Sequence, residues 1–198
     1  MRWIVFDYGE VISRYTTALP TLASMYGVSV ADFEQAYWPA RDAYDRGQSD
    51  VDYWRAVGEP LGVDVSASMA ESLTAADVAG WLHTDPSTLS LLESLDSAGV
   101  PMALLSNAPV SFARVAEEQE WTKHFRHLVF SGDLGCAKPD RRIWDHLVSL
   151  LDAAPGDVVF LDDRQTNVDG ALAAGIDARL WAPHVGPELG AEFRQLGA

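Results

Sequence analysis

The sequence predicts an α/β fold, a parallel sheet flanked by helices with a block of helices inserted directly after the first strand. Three observations carry that expectation. The chain opens on a short apolar run, Trp3-Ile4-Val5-Phe6, that ends in Asp7, and such a run reads as a strand buried on both faces. From Asp85 onward, strand-like and helix-like stretches alternate, as they do in parallel sheets built from βαβ units. Between these regions, residues 13–82 carry a helical pattern that no strand pattern interrupts.

In order, the first strand gives way to a polar loop and then to a helix over residues 18–25 that stops at Gly27. Ser29 with Asp32, and Ser49 with Asp52, form capping arrangements for a second and a third helix. Pro39 is expected to end or kink the second, and Gly58 to close the third. A fourth helix is predicted over residues 67–81. Tyr15, Tyr26, Phe33, Tyr37, Trp38, Tyr44, Tyr53 and Trp54 crowd this block and are expected to form the core of a small helical unit. Asp85-Pro86 starts the next helix, with Asp at the cap and Pro at the first position, and Gly99 stops it. Residues 101–105, 127–130, 158–161 and 178–181 then read as strands, and 111–118, 142–151 and 168–174 as the helices between them. The opening strand must join this sheet to be buried. Residues 1–13 and 83–198 therefore form an α/β core, and 14–82 a helical cap placed over the strand ends.

With 198 residues, 48% hydrophobic and 22% charged, the chain suits a soluble globular protein of one domain with a large insertion, or two small ones. No apolar run is long enough to span a bilayer and no leader pattern opens the chain, so a cytoplasmic location without membrane contact is expected. A formal charge of −15 argues against nucleic acid or an anionic membrane as the main partner. It leaves room for a locally positive site that takes an anionic small molecule. The single cysteine, Cys136, excludes an internal disulfide and a multi-cysteine metal site. No histidines lie at ligand spacing, so zinc is not expected. Monomer and homodimer both remain open.

Polar residues end the predicted strands, and those ends converge on one edge of a parallel sheet. They are Asp7, Ser106-Asn107, a loop from Ser131 that presents Lys138, and Asp162-Asp163 with Asn167 close behind. Each has a bland alternative: a turn acid, a helix cap, a surface lysine. Adjacent carboxylates at a buried strand end, however, repel unless a cation or lysine offsets them. Together the residues suit phosphoryl transfer through an aspartyl-phosphate. A carboxylate takes the phosphoryl group and splits one hard step into two. A hard cation held by oxygens neutralises the phosphate, while a hydroxyl and a lysine hold its remaining oxygens.

Phe6-Asp7-Tyr8-Gly9-Glu10-Val11, Leu104-Leu105-Ser106-Asn107, Gly135-Cys136-Ala137-Lys138-Pro139-Asp140 and Phe160-Leu161-Asp162-Asp163 resemble the four motifs of the haloacid dehalogenase superfamily. The later motifs are especially similar to the branch of glucose-1-phosphate phosphatases and the phosphatase half of soluble epoxide hydrolase. The resemblance implies a Rossmann-like core with a helical cap and a magnesium-dependent phosphatase acting on a small phosphorylated metabolite, sugar phosphates among the candidates. It makes Asp7 the nucleophile and a metal ligand, Ser106 the phosphate-binding hydroxyl, and Lys138 the phosphate-binding and charge-balancing lysine. Asp163, with Asp162 beside it, becomes the magnesium acid, and Gly9 lends the metal its backbone carbonyl. Asn107 is expected to bind phosphate or substrate, and Asn167 to brace the acidic loop. One departure stands out. Most family phosphatases carry a general acid two residues after the nucleophile, where this chain has Gly9; losing such an acid typically costs about 10²- to 10⁴-fold. The glucose-1-phosphate branch also tends to carry glycine there. Glu10 is a candidate stand-in near the substrate. Two further readings are a metal-free 2-haloacid dehalogenase using Asp7, and a member that binds a ligand or protein without turnover. Arg14, Arg41, Tyr44, Arg46 and Trp54 are candidates for setting specificity.

Overall fold

The computed structural model describes residues 2–182 and Glu192; the rest of the segment assigned above to the core, 183–191 and 193–198, lies outside the described residues. Five parallel strands form one sheet: β1 (Trp3–Phe6), β2 (Met102–Ser106), β3 (His127–Phe130), β4 (Val158–Asp162) and β5 (Asp177–Leu180), in the order β3-β2-β1-β4-β5. The chain moves outward from β1 to β3, then returns to the other side of β1 at β4. Ligands of open α/β sheets bind at such a reversal, beyond the carboxyl ends of the strands.

β1 is buried throughout, and its alternation feeds two layers. Ile4 and Phe6 join Leu92, Leu95 and Phe112 on one face, supplied by α5 (Pro86–Ser97) and α6 (Val110–Ala116). Trp3 and Val5 join Ile143, Trp144, Leu147 and Val168 on the other, supplied by α8 (Arg141–Leu150) and α9 (Gln165–Ala173). A third cluster contains Leu22, Phe33, Tyr37, Tyr53, Trp54 and Leu73. It lies within the insertion of α1 (Leu19–Tyr26), α2 (Val30–Asp45), α3 (Asp50–Gly58) and α4 (Ala67–Trp81). The insertion leaves and re-enters the sheet domain through two paired segments: Arg14 N–H donates to the His83 carbonyl at 2.7 Å, and Asp85 N–H to that of Ile12 at 2.8 Å. No helix among the described residues is long and apolar enough to cross a membrane.

Ser29, Ser49 and Asp85 cap α2, α3 and α5 through backbone N–H groups, as their spacing predicts. One stop falls elsewhere, and another falls at Gly58 as predicted but without a left-handed glycine. α2 runs through Pro39 to Asp45. The proline forfeits one backbone bond, and Phe33, Ala36, Tyr37 and Tyr44, buried on both sides of it, hold the two halves against the same core. Gly58 is helical at φ −71°; an added Cβ there would lie 2.4 Å from the Val63 carbonyl, so this glycine serves close packing. The chain continues as a 3₁₀ turn over Glu59–Leu61 and stops at Gly62, φ 68°. The loop expected after β3 begins with a short helix, α7 (Ser131–Leu134), and α9 starts three residues before its predicted beginning.

Candidate active site

β1 delivers Asp7 to the carboxyl edge, and its backbone N–H continues the ladder to the Leu161 carbonyl at 2.9 Å. Lys138 reaches the same point from the loop between α7 and α8. Its Nζ donates to Asp7 Oδ1 at 2.6 Å, to Asp162 Oδ2 at 2.7 Å and to the Leu105 carbonyl at 2.9 Å. An ammonium has three N–H donors, so this arrangement leaves none for a phosphate oxygen. These are the contacts that charge balancing of Asp7 and Asp162 requires. Burial works to lower the lysine pKa, but Asp7 and Asp162 outweigh it and hold the ammonium protonated.

Asn107 fixes that loop with its side-chain amide. Its Nδ2 donates to the Lys138 carbonyl and its Oδ1 accepts from the Lys138 N–H, both at 2.9 Å. The amide thereby clamps the lysine loop, and Asn107 also borders the cleft with one Nδ2 N–H free of these two bonds. Asn167 does brace the acidic loop: Nδ2 lies 3.0 Å from both oxygens of Asp162. Arg164 N–H adds a bond to Asp162 Oδ1 at 2.8 Å. Both oxygens of Asp162 are therefore engaged by protein donors. Asp163 accepts no hydrogen bond from any other described residue and borders the cleft.

Asp7, Asp162 and Asp163 present carboxylate oxygens within 4.8 Å of one another. Burial first, then Asp162, raises the Asp7 pKa to about 7 against the pull of Lys138. Burial, Asp162 and Glu10 raise that of Asp163 to about 6. One lysine does not balance this much buried negative charge. The donor set, all oxygen and acidic, fits a hard divalent cation.

Ser106, 2% exposed, faces the same cleft, and its hydroxyl bonds to no other described residue. The backbone N–H groups of Tyr8 and Gly9 likewise donate to none among the described residues, while three later N–H groups converge on the Tyr8 carbonyl. The turn's left-handed residue is Glu10, φ 54°. Glu10 is exposed and forms no ion pair among the described residues. At Gly9, an added Cβ would meet only the Trp81 ring, at 3.9 Å.

The cleft holds about 600 Å³ and lies between the strand ends and the helical insertion. Of the five residues expected to set specificity, only Arg41 lines it. Trp54 is buried in the insertion's core; Tyr44 bonds to Asp50 and Ser111. Arg46 links Asp42 to Asp140, and Arg14 pairs with Asp85. Sequence reasoning missed Tyr15, Trp38, Trp81 and Arg164, all of which line the cleft. The first two were grouped with the core aromatics, yet they are 46% and 37% exposed.

A family model described as haloacid dehalogenase-like hydrolase matches residues 1–175. Among characterised proteins, the chain is 24% identical over 174 residues to the sesquiterpene phosphatase AstK of Aspergillus oryzae, covering 87% of this chain and 85% of that one. It is 29% identical over 185 residues to a phosphoglycolate phosphatase of Pseudomonas aeruginosa, covering 88% and 67%. Among solved structures, a haloacid dehalogenase family enzyme of Bacteroides thetaiotaomicron, in complex with magnesium and inorganic phosphate, superposes with a TM-score of 0.70. It is 16% identical, over 92% of this chain and 94% of that one. The L-2-haloacid dehalogenase of Xanthobacter autotrophicus superposes at 0.73 with 17% identity, over 99% and 88%.

Proposed function

Because this chain belongs to the haloacid dehalogenase-like hydrolases, we propose that it is a magnesium-dependent phosphatase that hydrolyses a small phosphorylated metabolite through an aspartyl-phosphate on Asp7. The observation that carries the reading is the placement of Asp163 beside Asp7, with Lys138 bridging Asp7 and Asp162. A metal-free dehalogenase has no use for a further carboxylate such as Asp163, which no described protein donor engages, next to its nucleophile, and the repulsion would weaken the fold. A phosphatase uses Asp163 together with Asp7 to hold a cation.

In this mechanism Lys138 fixes one Asp7 oxygen, which leaves the other to attack phosphorus. The P–O bond of the ester breaks as the acyl-phosphate bond forms. Water then attacks phosphorus, releasing phosphate and restoring the carboxylate. Ser106 Oγ and the N–H groups of Tyr8 and Gly9 stand as donors to the phosphoryl oxygens. Asp163, Asp7 and the Gly9 carbonyl would hold Mg²⁺, which supplies charge neutralisation at the phosphate. Asp162 orients Lys138 and the acidic loop. Residues 14–82 act as a cap that shields the site from water.

The test is phosphate release from a panel of phosphorylated metabolites, with magnesium and with EDTA, for wild type and Asp7→Asn. Turnover is expected only with magnesium and only with Asp7. Dehalogenation of chloroacetate without metal, with no release from p-nitrophenyl phosphate, would overturn the reading.

A further inference from the structure

Three rings stand together on the cap side of the cleft. Tyr15 lies 6.1 Å from Trp38 and 6.4 Å from Trp81 between ring centroids, and Trp38 lies 6.4 Å from Trp81. None of the three belongs to the cap's buried core. Tyr15 and Trp38 keep 46% and 37% of their surface in water. Trp81 is held in place from behind: Nε1 donates to the Tyr37 hydroxyl at 3.3 Å, and the Arg41 guanidinium carbon lies 5.8 Å from its ring centroid. The wall is prepared before anything binds.

The charges around it are already engaged. Arg41 pairs with Asp45 and Asp77, and Asp42 with Arg46. Lys138 is fully committed to Asp7, Asp162 and Leu105. A second anionic group on the substrate would find Arg164 at the Asp163 side of the cleft, but it would also face Glu10, exposed and unpaired among the described residues. Gly9 adds a chemical constraint. It offers no acid to the leaving oxygen, and a Cβ built there would meet only the Trp81 ring, at 3.9 Å. A leaving group that departs with little protonation is therefore favoured over an alkoxide. Phenolic oxygens do this well, since they ionise near pH 10, the value of the tyrosine hydroxyl.

We propose that Tyr15, Trp38 and Trp81 form a receiving wall for a flat apolar leaving group, and that the enzyme's substrates are aryl phosphates. This rests on the phosphatase reading and names its substrate class. The wall recognises the ring by stacking and edge contacts, and the ring's oxygen is the one that leaves without an acid. Neither requirement suits an ordinary alkyl phosphate with a second carboxylate, whose alkoxide leaves poorly and whose chain offers no flat face.

Binding of phenylphosphonate and methylphosphonate, in the presence of magnesium, isolates recognition from turnover because neither loses its carbon group. Calorimetry on wild type is expected to show about tenfold tighter binding of the phenyl compound. Stacking on one exposed ring supports about a three- to tenfold effect. Trp38→Ala and Tyr15→Ala should each cut the phenyl-to-methyl ratio about threefold or more, and Trp38→Phe should restore most of it. Equal binding of the two compounds, or a ratio untouched in both alanine variants, would overturn the proposal while leaving the phosphatase reading intact. Binding of neither compound would remove the phosphate site itself, and the proposal with it.

Discussion

At the scale of single residues, Asp162 and Asp163 are neighbours in sequence with different tasks. Asp162 has a side chain 0% exposed and meets Lys138, 1% exposed, with Asn167 and the Arg164 N–H filling its remaining acceptors. Removing one partner of a buried pair typically costs about 3–5 kcal/mol. Asp162→Asn is therefore expected to lower stability by that order, whether or not magnesium is present. Asp163→Asn should leave the metal-free fold at least as stable as wild type, because it deletes a carboxylate whose pKa burial and Asp162 have raised. Its effect should appear as a sharply higher magnesium requirement. Denaturant titrations and magnesium dependence of turnover on both variants check this; equal loss of stability would contradict the division. The residue types at the strand ends were legible because phosphoryl transfer demands those chemistries. What the sequence could not show is who spends which hydrogen bond. That Lys138 has no N–H left, and that Asn107 clamps the lysine loop, follow from three-dimensional distances alone.

At the scale of elements, α2 does most to shape the cleft. Phe33, Ala36, Tyr37 and Tyr44 bury one face in the cap core, while Trp38, Arg41, Asp42 and Asp45 present another to the cleft. This follows from helical spacing, since adjacent positions such as Tyr37 and Trp38 point about 100° apart. The pattern was readable, but an aromatic residue looks the same in sequence whether it packs a core or lines a site. The helix also carries a testable titration. Burial raises the Asp45 pKa from 3.8 to about 6, despite its bond to Arg41. An acid whose folded pKa lies above its unfolded value adds stability below the unfolded pKa, and that stability is lost as pH rises through about 6. Asp45→Asn keeps an oxygen for the Arg41 Nε and removes the titration. Urea unfolding at pH 4 and pH 7 should show a smaller loss of stability in the variant than in wild type, by up to about 3 kcal/mol. Identical slopes would show that Asp45 is ionised freely in the fold.

At the scale of the molecule, a central strand carries Asp7, its two neighbours in the sheet carry Ser106 and the Asp162–Asp163 pair, and a helical insertion follows that strand. The alternation of strands and helices announced the sheet, and parallel pairing through β1 places Asp7 at the reversal of strand order. The docking of the cap was not legible. It depends on contacts between distant segments, such as the Tyr8 hydroxyl with the Trp81 carbonyl at 2.8 Å and the Ser131 hydroxyl with the Asp45 carbonyl, for which no spacing rule exists. At this junction the Trp81 ring borders Gly9, where an acid is absent. On the proposed mechanism, the lack of a general base at that position slows water attack on the aspartyl-phosphate, and the intermediate should accumulate during turnover. The most direct measurement is borohydride quenching during turnover of an aryl phosphate, followed by peptide mass spectrometry. Reduction of an acyl phosphate converts aspartate to homoserine. Conversion confined to Asp7, dependent on both substrate and magnesium, is the predicted result; turnover that leaves Asp7 unmodified, or that marks a different residue, would contradict the covalent account.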